Sequence, residues 1–464
     1  MREHEARGKK PNIVFIIADD HRFDGIGAYG NQVVQTPVLD GLAAEGVRFA
    51  SIYTMGGQTA ALCVPSRACL LTGTNVFRAT VTEKEVTLEE TENPQLWAIN
   101  PSCPTWPEVY QREGYRTFGT GKWHNGNGSF ARSFSDGANI FFGGMGEHIG
   151  LPIHDYDPNG IYDSDQAATS EKFSTELFAE AAVDFIQQYK EEEPFVLYVA
   201  FTAPHDPRTP PQAYLERYPS EDMPLPGNFM PEHPFDNGEL HVRDEQLASF
   251  PRKPEEVRRH LAEYYSMITH MDEQIGRIVQ ALEETNQRER TIIVYTADHG
   301  IALGQHGLMG KQSLYEHSLH IPLIMQGPGL PKGKEVCGLG CQIDIFPTLC
   351  ELTETPLPRT VEGKSMVRMI SGEAMAARKN VFAAYKNVQR MVSDGRWKLI
   401  RYFRSGGAGT NRTQLFDLYN DPGETCDLAE DPAKREQLQR MEHELLAWQQ
   451  SVEDPILHER GEKG

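Results

Sequence analysis

No run of roughly 18 apolar residues occurs in the chain, so a membrane-spanning helix is not expected. Basic residues are in short supply: 45 Lys and Arg face 66 Asp and Glu, a formal net charge of −21. So acidic a chain lacks the extended basic face by which proteins hold polyanions. No nucleic-acid and no membrane partner is therefore expected, and an anionic substrate would have to be met by a local positive pocket. Cysteine is sparse too. Cys63, Cys69, Cys103, Cys337, Cys341, Cys350 and Cys426 are odd in number and irregular in spacing, which argues against a disulfide framework and for a reducing compartment. Cys337 and Cys341 have no companion ligands nearby and do not read as a zinc site. Residues 1–10 are charged and hold no apolar core of the signal-peptide kind. The expected location is therefore cytoplasmic, or periplasmic or secreted if a signal has been removed. Internal repeats and low-complexity segments are also missing.

What is present is enough chain, 464 residues, for one large α/β domain and a smaller partner. Three β-branched or aromatic runs read as buried, parallel strands, and each ends in polar groups. Asn12 to Ala18 runs into Asp19-Asp20-His21, Phe195 to Phe201 into Thr202-Ala203-Pro204-His205, and Thr291 to Ala297 into Asp298-His299. In open α/β sheets ligands sit outside the carboxyl ends of strands, which is where these groups fall. Paired Asp after one strand is often only a solvated turn; three such endings at equivalent places are harder to dismiss. Amphipathic spacing predicts helices over 177–186 and 261–284, with His270 on the latter read as structural. Residues 125–165 read as long surface loops, and 207–254, dense in Pro and acidic residues, as an excursion without regular elements that walls a pocket. After about residue 375 the texture changes to short strands with polar turns and a terminal helix. This predicts a catalytic α/β domain over 1–375 and a small α+β unit, an antiparallel sheet with one helix, over 376–464.

The stretch around which the rest is organised is Cys63-Val64-Pro65-Ser66-Arg67-Ala68-Cys69-Leu70-Leu71-Thr72-Gly73. Pro is favoured in a first helical turn, so a helix is predicted from Pro65, with Cys63 at its mouth and Arg67 able to reach back over the same turn. A lone cysteine is ordinarily a small buried hydrophobe. The spacing Cys-x-Pro-x-Arg, continued by Ala-Cys-Leu-Leu-Thr-Gly, resembles the signature of the type I sulfatases. Gly114-Tyr115-Arg116-Thr117 followed by Gly121-Lys122-Trp123-His124 resembles that family's second signature. The likeness extends to the small carboxyl-terminal unit.

The resemblance implies an alkaline-phosphatase-like fold: a large, mostly parallel sheet flanked by helices, with a smaller antiparallel sheet plus helix. It implies that a maturation enzyme oxidises Cys63 to formylglycine, whose hydrate is a geminal diol. It further implies a divalent cation held by Asp19, Asp20, Asp298 and His299 with an oxygen of modified Cys63. Oxygen-rich shells suit calcium or magnesium. Many family members carry Asn where this chain has His299; manganese would accept that imidazole, and calcium remains the expected ion. In the implied mechanism one hydroxyl on residue 63, polarised by the metal and Arg67, attacks sulfur. The alcohol departs with a proton from His205, and the second hydroxyl loses its proton to His124 as sulfate is eliminated. Lys122 and Lys311 share the sulfuryl charge. His21, Arg22, Asn125, His154, Asp155 and Arg208 are candidates for lining a substrate pocket. The reading is a sulfate-ester hydrolase acting on a sulfated small molecule or saccharide. Its rivals are a phosphonate monoester or phosphodiester hydrolase of the same fold, and an unmodified metal-binding protein without turnover.

Overall fold

A computed structural model of the chain describes residues 10–82 and 97–459; the expectation about a leader falls mostly on residues outside these. The fold is built on the first strand, Asn12–Ala18, every residue of which is buried. Successive side chains of a strand point to opposite faces. Ile13, Phe15 and Ile17 accordingly pack with Leu70, Leu71, Trp106 and Phe346 on one side. Val14 and Ile16 pack with Phe178, Met267, Met271 and Ile275 on the other. The continuous apolar run is thus the signature of a strand covered twice. It pairs in parallel with Phe195–Ala200 on one side and Thr291–Ala297 on the other.

Across the main sheet the strand order is Lys334–Val336, Val47–Tyr53, His320–Gln326, Thr291–Ala297, Asn12–Ala18, Phe195–Ala200, Arg116–Lys122 and Asp136–Phe141, with the short Gly340–Cys341 also on Val47–Tyr53. All pairings are parallel except those of His320–Gln326, which runs antiparallel to both neighbours. The expected α/β architecture is therefore present. One face carries the helices Pro37–Glu45, Ser174–Gln188 and the 31-residue Pro254–Glu284; the other carries Cys63–Thr72, Trp106–Arg112 and Ile345–Leu352.

Several boundaries differ from expectation, each for a local reason. The helix predicted from Pro65 begins at Cys63. The first four N–H groups of a helix have no intrahelical partner, so Pro65 is tolerated at the third position as well as the first. The stretch 125–165 is not all loop: it contains the helix Asn127–Ser133 and the strand Asp136–Phe141, which extends the sheet in parallel. Phe130 and Phe134 anchor that helix edge-on against Trp123. The excursion 207–254 holds short pieces only, the turn of helix Gln212–Leu215 and the 3₁₀ turns Ser220–Asp222 and Arg243–Leu247.

The small sheet has the order Arg412–Asp417, Trp397–Tyr402, Gln389–Ser393, Val381–Tyr385 and Gly56–Gly57, with the helix Arg435–Ser451 packed on it. Its last strand comes from the segment that leads into Cys63, so the carboxyl-terminal residues do not close this sheet alone. Gly56 is required there. Its φ is +73°, and a Cβ would lie 2.2 Å from the carbonyl oxygen of Ala384.

The seam between the two sheets buries imidazoles. His306 stacks on Tyr315 with ring centroids 4.1 Å apart and its Nε2 accepts from Asn228 Nδ2 at 3.1 Å, while His233 Nδ1 donates to the His306 carbonyl at 3.0 Å. Burial lowers His233 from the ordinary 6.5 to about 4. Burial, helped by His233, lowers His306 to about 3. Between those values and 6.5 the unfolded chain binds more protons than the folded one, so stability falls as pH drops through that window and is complete above it. The melting temperature should therefore rise from pH 4 to 6.5 and then level. His306→Asn, which accepts the left-handed φ of 53° at this position, should rise less steeply; an unchanged slope would remove these imidazoles from the acid response.

Candidate active site

The three strand endings converge on Cys63. Its Sγ is 3.3 Å from Asp19 Oδ1, 3.2 Å from His299 Nε2 and 3.6 Å from Lys311 Nζ. Lys311 Nζ donates to Asp20 Oδ1 at 2.8 Å, and Lys122 Nζ is paired with Asp19 Oδ2 and with the carbonyl of Gly144. Arg67 Nε donates to Asp298 Oδ2 at 3.0 Å and its Nη1 to the Lys122 carbonyl at 2.9 Å, and its Nη2 lies 3.7 Å from Asp19 Oδ2. Asp298 Oδ1 accepts the backbone N–H groups of Asp20 and His299 at 3.2 and 2.9 Å. Three carboxylates and three side-chain cations, all buried, therefore interlock at the carboxyl edge of the sheet.

Local backbone choices make this possible. Lys122 ends the strand Arg116–Lys122, and Gly121 before it has φ +88° with a Cβ position only 1.9 Å from the Ala200 carbonyl oxygen. Asp20 and His124 sit at φ 65° and 57°, turning the chain sharply just past two strands. Asn125 does not enter the pocket: its Nδ2 donates to the Val64 carbonyl at 2.8 Å and brackets the start of the Cys63 helix. Ser66 Oγ secures the same helix to the Asp298 carbonyl at 2.5 Å and to Gln342.

The charges set the protonation states. Burial works to raise Asp19, but Lys122, His205, Arg67 and Lys311 outweigh it and hold the carboxyl well below its ordinary value. Burial works to lower Lys311; Asp20, Cys63, Asp244 and Asp19 reverse that and keep it charged. Burial, reinforced by Lys122, Arg67 and Lys311, keeps His124 well below 6.5 and neutral, with its buried Nδ1 lacking a hydrogen-bond partner. Burial and Asp19 push the Cys63 thiol well up, so an unmodified side chain is a thiol and not a thiolate at neutral pH.

Among the described residues, Asp19, Asp20, Cys63 and His299 each offer a ligand atom within 4.8 Å of the others. Asp20 Oδ2 is buried without a hydrogen-bond partner. Carboxylate oxygens and one imidazole suit a hard or borderline divalent cation, and the orphaned oxygen leaves a donor free for it. The fourth expected ligand, Asp298, stands apart from this group, its carboxylate engaged by Arg67 and two backbone amides.

A cavity of about 430 Å³ opens over Cys63, His124, His205 and Lys311. Its walls are Ala60, Ala61, Phe142, Gly143, Gly144, Met145, Val242, Arg243, Asp244 and Gln312. The six candidates proposed from sequence for the pocket are not among these residues. His21 is locked inside the fold between Tyr295 Oη and the Gly25 carbonyl. Arg22 pairs with Asp24 and faces a separate cavity bounded by Glu316, His317 and Glu424. His154 packs against Phe142 and Tyr162, Asp155 is exposed, and Arg208 is buried beside His260 and Tyr264. The walls instead come from the tip beyond Asp136–Phe141 and from the 207–254 excursion. Its role as a pocket wall was legible in its composition; the identities Val242, Arg243 and Asp244 were not.

The description "Sulfatase" fits residues 11–355, about three quarters of the chain. The chain belongs to the sulfatase family. It is a sulfuric ester hydrolase, and residues 304–451 match the carboxyl-terminal region described as that of N-sulphoglucosamine sulphohydrolase. It is 26% identical to an N-acetylglucosamine-6-O-sulfatase of Bacteroides thetaiotaomicron, over 91% of this chain and 82% of that protein. It is 27% identical to human arylsulfatase K, over 91% and 79%. Among solved structures, a protein in complex with its substrate D-glucosamine-2-N,6-O-disulfate superposes with a TM-score of 0.78 at 22% identity, covering 96% of this chain and 99% of that one. A phosphonate monoester hydrolase of Agrobacterium radiobacter reaches 0.74 at 20% identity with 96% of each chain covered. At those identities the two structures show a shared fold only.

Proposed function

We propose that this sulfatase cleaves a sulfate monoester of a saccharide, after a maturation enzyme converts Cys63 to formylglycine, with one divalent cation, calcium, held by Asp19, Asp20, His299 and an oxygen on residue 63, and with Asp298 completing the set on binding. The observation that carries the reading is the placement of Cys63. It stands at the first position of a buried helix, within contact of Asp19, His299 and Lys311. Burial keeps its thiol protonated, which fits a role for a matured side chain and not for the thiol itself. Carbohydrate is favoured by a cavity lined both by apolar side chains, Phe142 and Met145, and by hydrogen-bonding ones, Asp244 and Gln312. The glucosamine-directed names of relatives point the same way.

When bound, the cation would supply Lewis-acid polarisation at residue 63 and at a sulfuryl oxygen. The chain supplies the rest. Lys122 and Lys311 stand on the two carboxylates beside residue 63; Lys311 lines the cavity and would meet a sulfuryl oxygen, and Lys122, buried behind Asp19, would add positive charge from the second rank. His205 lines the cavity and passes a proton to the departing sugar oxygen. His124, neutral and with a free nitrogen, takes the proton from the second hydroxyl of residue 63 so that sulfate can leave.

Cys63→Ala should abolish turnover of every sulfate ester, and Cys63→Ser should allow at most a single turnover; sustained turnover by the Ala variant would sink the assignment. Active wild-type enzyme should weigh about 18 Da less than its sequence at residue 63 (one sulfur exchanged for one oxygen, with two hydrogens lost).

Calcium titrated into metal-stripped wild-type protein should raise its melting temperature, by an amount equivalent to about 2.7 kcal/mol at a hundredfold excess over Kd. Asp20→Asn should blunt that rise; an equal rise in both proteins would place the ion elsewhere.

The two histidines separate by leaving group. General acid catalysis is typically worth about 10²–10⁴-fold. His205→Ala should therefore lower kcat/KM for a sugar sulfate more than for 4-nitrophenyl sulfate by a factor in that range, because nitrophenolate departs unaided. His124→Ala should slow both substrates alike. Equal losses on both substrates for His205→Ala would reduce its role to holding sulfate.

A further inference from the structure

His205 is fixed at its backbone by His148, whose Nε2 lies 3.1 Å from the His205 carbonyl oxygen. Its ring is oriented from the other side. Nδ1 donates to the Asp206 carbonyl at 2.6 Å and lies 3.5 Å from Asp206 Oδ1, which leaves Nε2 directed inward, 3.8 Å from Asp20 Oδ2. What holds Asp206 is Arg243, reaching in from the pocket rim. Nη1 donates to Asp206 Oδ2 at 2.5 Å and Nη2 to Asp206 Oδ1 at 3.0 Å, a two-pronged clamp. Arg243 Nη2 also meets Asp244 Oδ1 at 2.6 Å, and the second Asp244 oxygen accepts from Gln312 Nε2 at 2.7 Å.

A half-exposed arginine at a pocket mouth invites a different reading, recognition of a second anionic group on the substrate. The geometry opposes it. Two buried carboxylates, Asp206 and Asp244 at 5% and 6% side-chain exposure, surround one guanidinium that is 46% exposed. Its guanidinium fork is already spent on Asp206 and Asp244.

We propose that Arg243 is a positioning residue: it locks Asp206, and Asp206 sets the ring of His205 against the leaving oxygen. The inference rests on the reading of His205 as the group that protonates that oxygen. A misplacement of about 1 Å in such a group can cost up to about a hundredfold, without any change in the sulfate-binding end of the site.

The test measures kcat and KM of wild type, Arg243→Gln, Arg243→Lys, Arg243→Ala and His205→Ala on a singly sulfated sugar, a doubly sulfated sugar and 4-nitrophenyl sulfate. In Arg243→Gln the ratio of kcat/KM for the singly sulfated sugar to that for the aryl sulfate should fall about tenfold, through kcat, in the direction set by His205→Ala. Arg243→Lys, which cannot form the two-pronged clamp, should recover only part of the ratio. Added guanidinium should restore part of it in Arg243→Ala, an outcome that a merely misfolded variant would not give. A rise in KM confined to the doubly sulfated sugar would overturn the inference in favour of anion recognition. An equal loss on all three substrates, without rescue, would overturn it in favour of a purely structural ion pair. If His205→Ala shows no leaving-group dependence, both the role of His205 and this inference fall, whereas wild-type inactivity on every sulfate ester would instead indict the proposed substrate.

Discussion

Asp19, Asp20 and Asp298 could not sit together inside this protein without Lys122, Lys311 and Arg67. A carboxylate taken from water into a buried site loses several kcal/mol of hydration, and removing one partner from such a pair typically costs about 3–5 kcal/mol. The cations arrive from three distant parts of the chain: the end of one strand, the second turn of the Cys63 helix and a Gly-rich loop. Satisfying the carboxylates therefore assembles the site and ties those segments together. In a protein of net charge −21, three buried cations are thereby held in place by carboxylates, two of which, Asp19 and Asp20, also face the candidate metal position.

Much of this was legible because it is local. Cys63 and Arg67 lie one turn apart on the same helix, Lys122 and His124 share a strand end, and each Asp follows an apolar run. Strand existence also followed from composition, since Asn12–Ala18 is apolar on both faces and buried on both. Less legible was whatever depends on partners remote in sequence. The strand Asp136–Phe141 is poor in β-branched residues and reads as loop. It pairs because Gly137 and Gly119 allow close approach, a Cβ on Gly137 falling 2.6 Å from the Gly119 carbonyl oxygen. The contribution of Gly56–Gly57 to the small sheet is likewise a matter of fit against Ala384, with no local pattern to announce it.

The pocket candidates illustrate why nearness in sequence to a motif is a poor guide to a binding surface. His21 and Arg22 follow directly on Asp20, yet the left-handed turn at Asp20 carries the chain back into the protein. Tyr264, on the long helix Pro254–Glu284, holds that turn: its hydroxyl donates to the Asp20 carbonyl at 2.7 Å and accepts from the Arg22 N–H at 3.0 Å. A turn that must present Asp20 to the centre cannot also present the next two side chains to the same cavity.

The walls of the cavity obey a different constraint from its floor. The floor is fixed by the strand ends and by charge pairing, so a change there disturbs several partners at once. The walls come from the tip at Phe142 to Met145 and from the excursion that carries Val242 to Asp244, segments tied down at particular points. One of those anchors is the bond from Lys122 to the Gly144 carbonyl, and it demands glycine, because a Cβ at 144 would lie 2.6 Å from the His124 ring. Others are the Arg243 clamp on Asp206, the bond from Gln312 to Asp244 and the Glu245 carboxylate, which accepts from the Met309 and Gly310 amides. Between such attachments the walls can differ in length and composition while the floor stays the same, which is a physical route by which one centre can be fitted to different substrates.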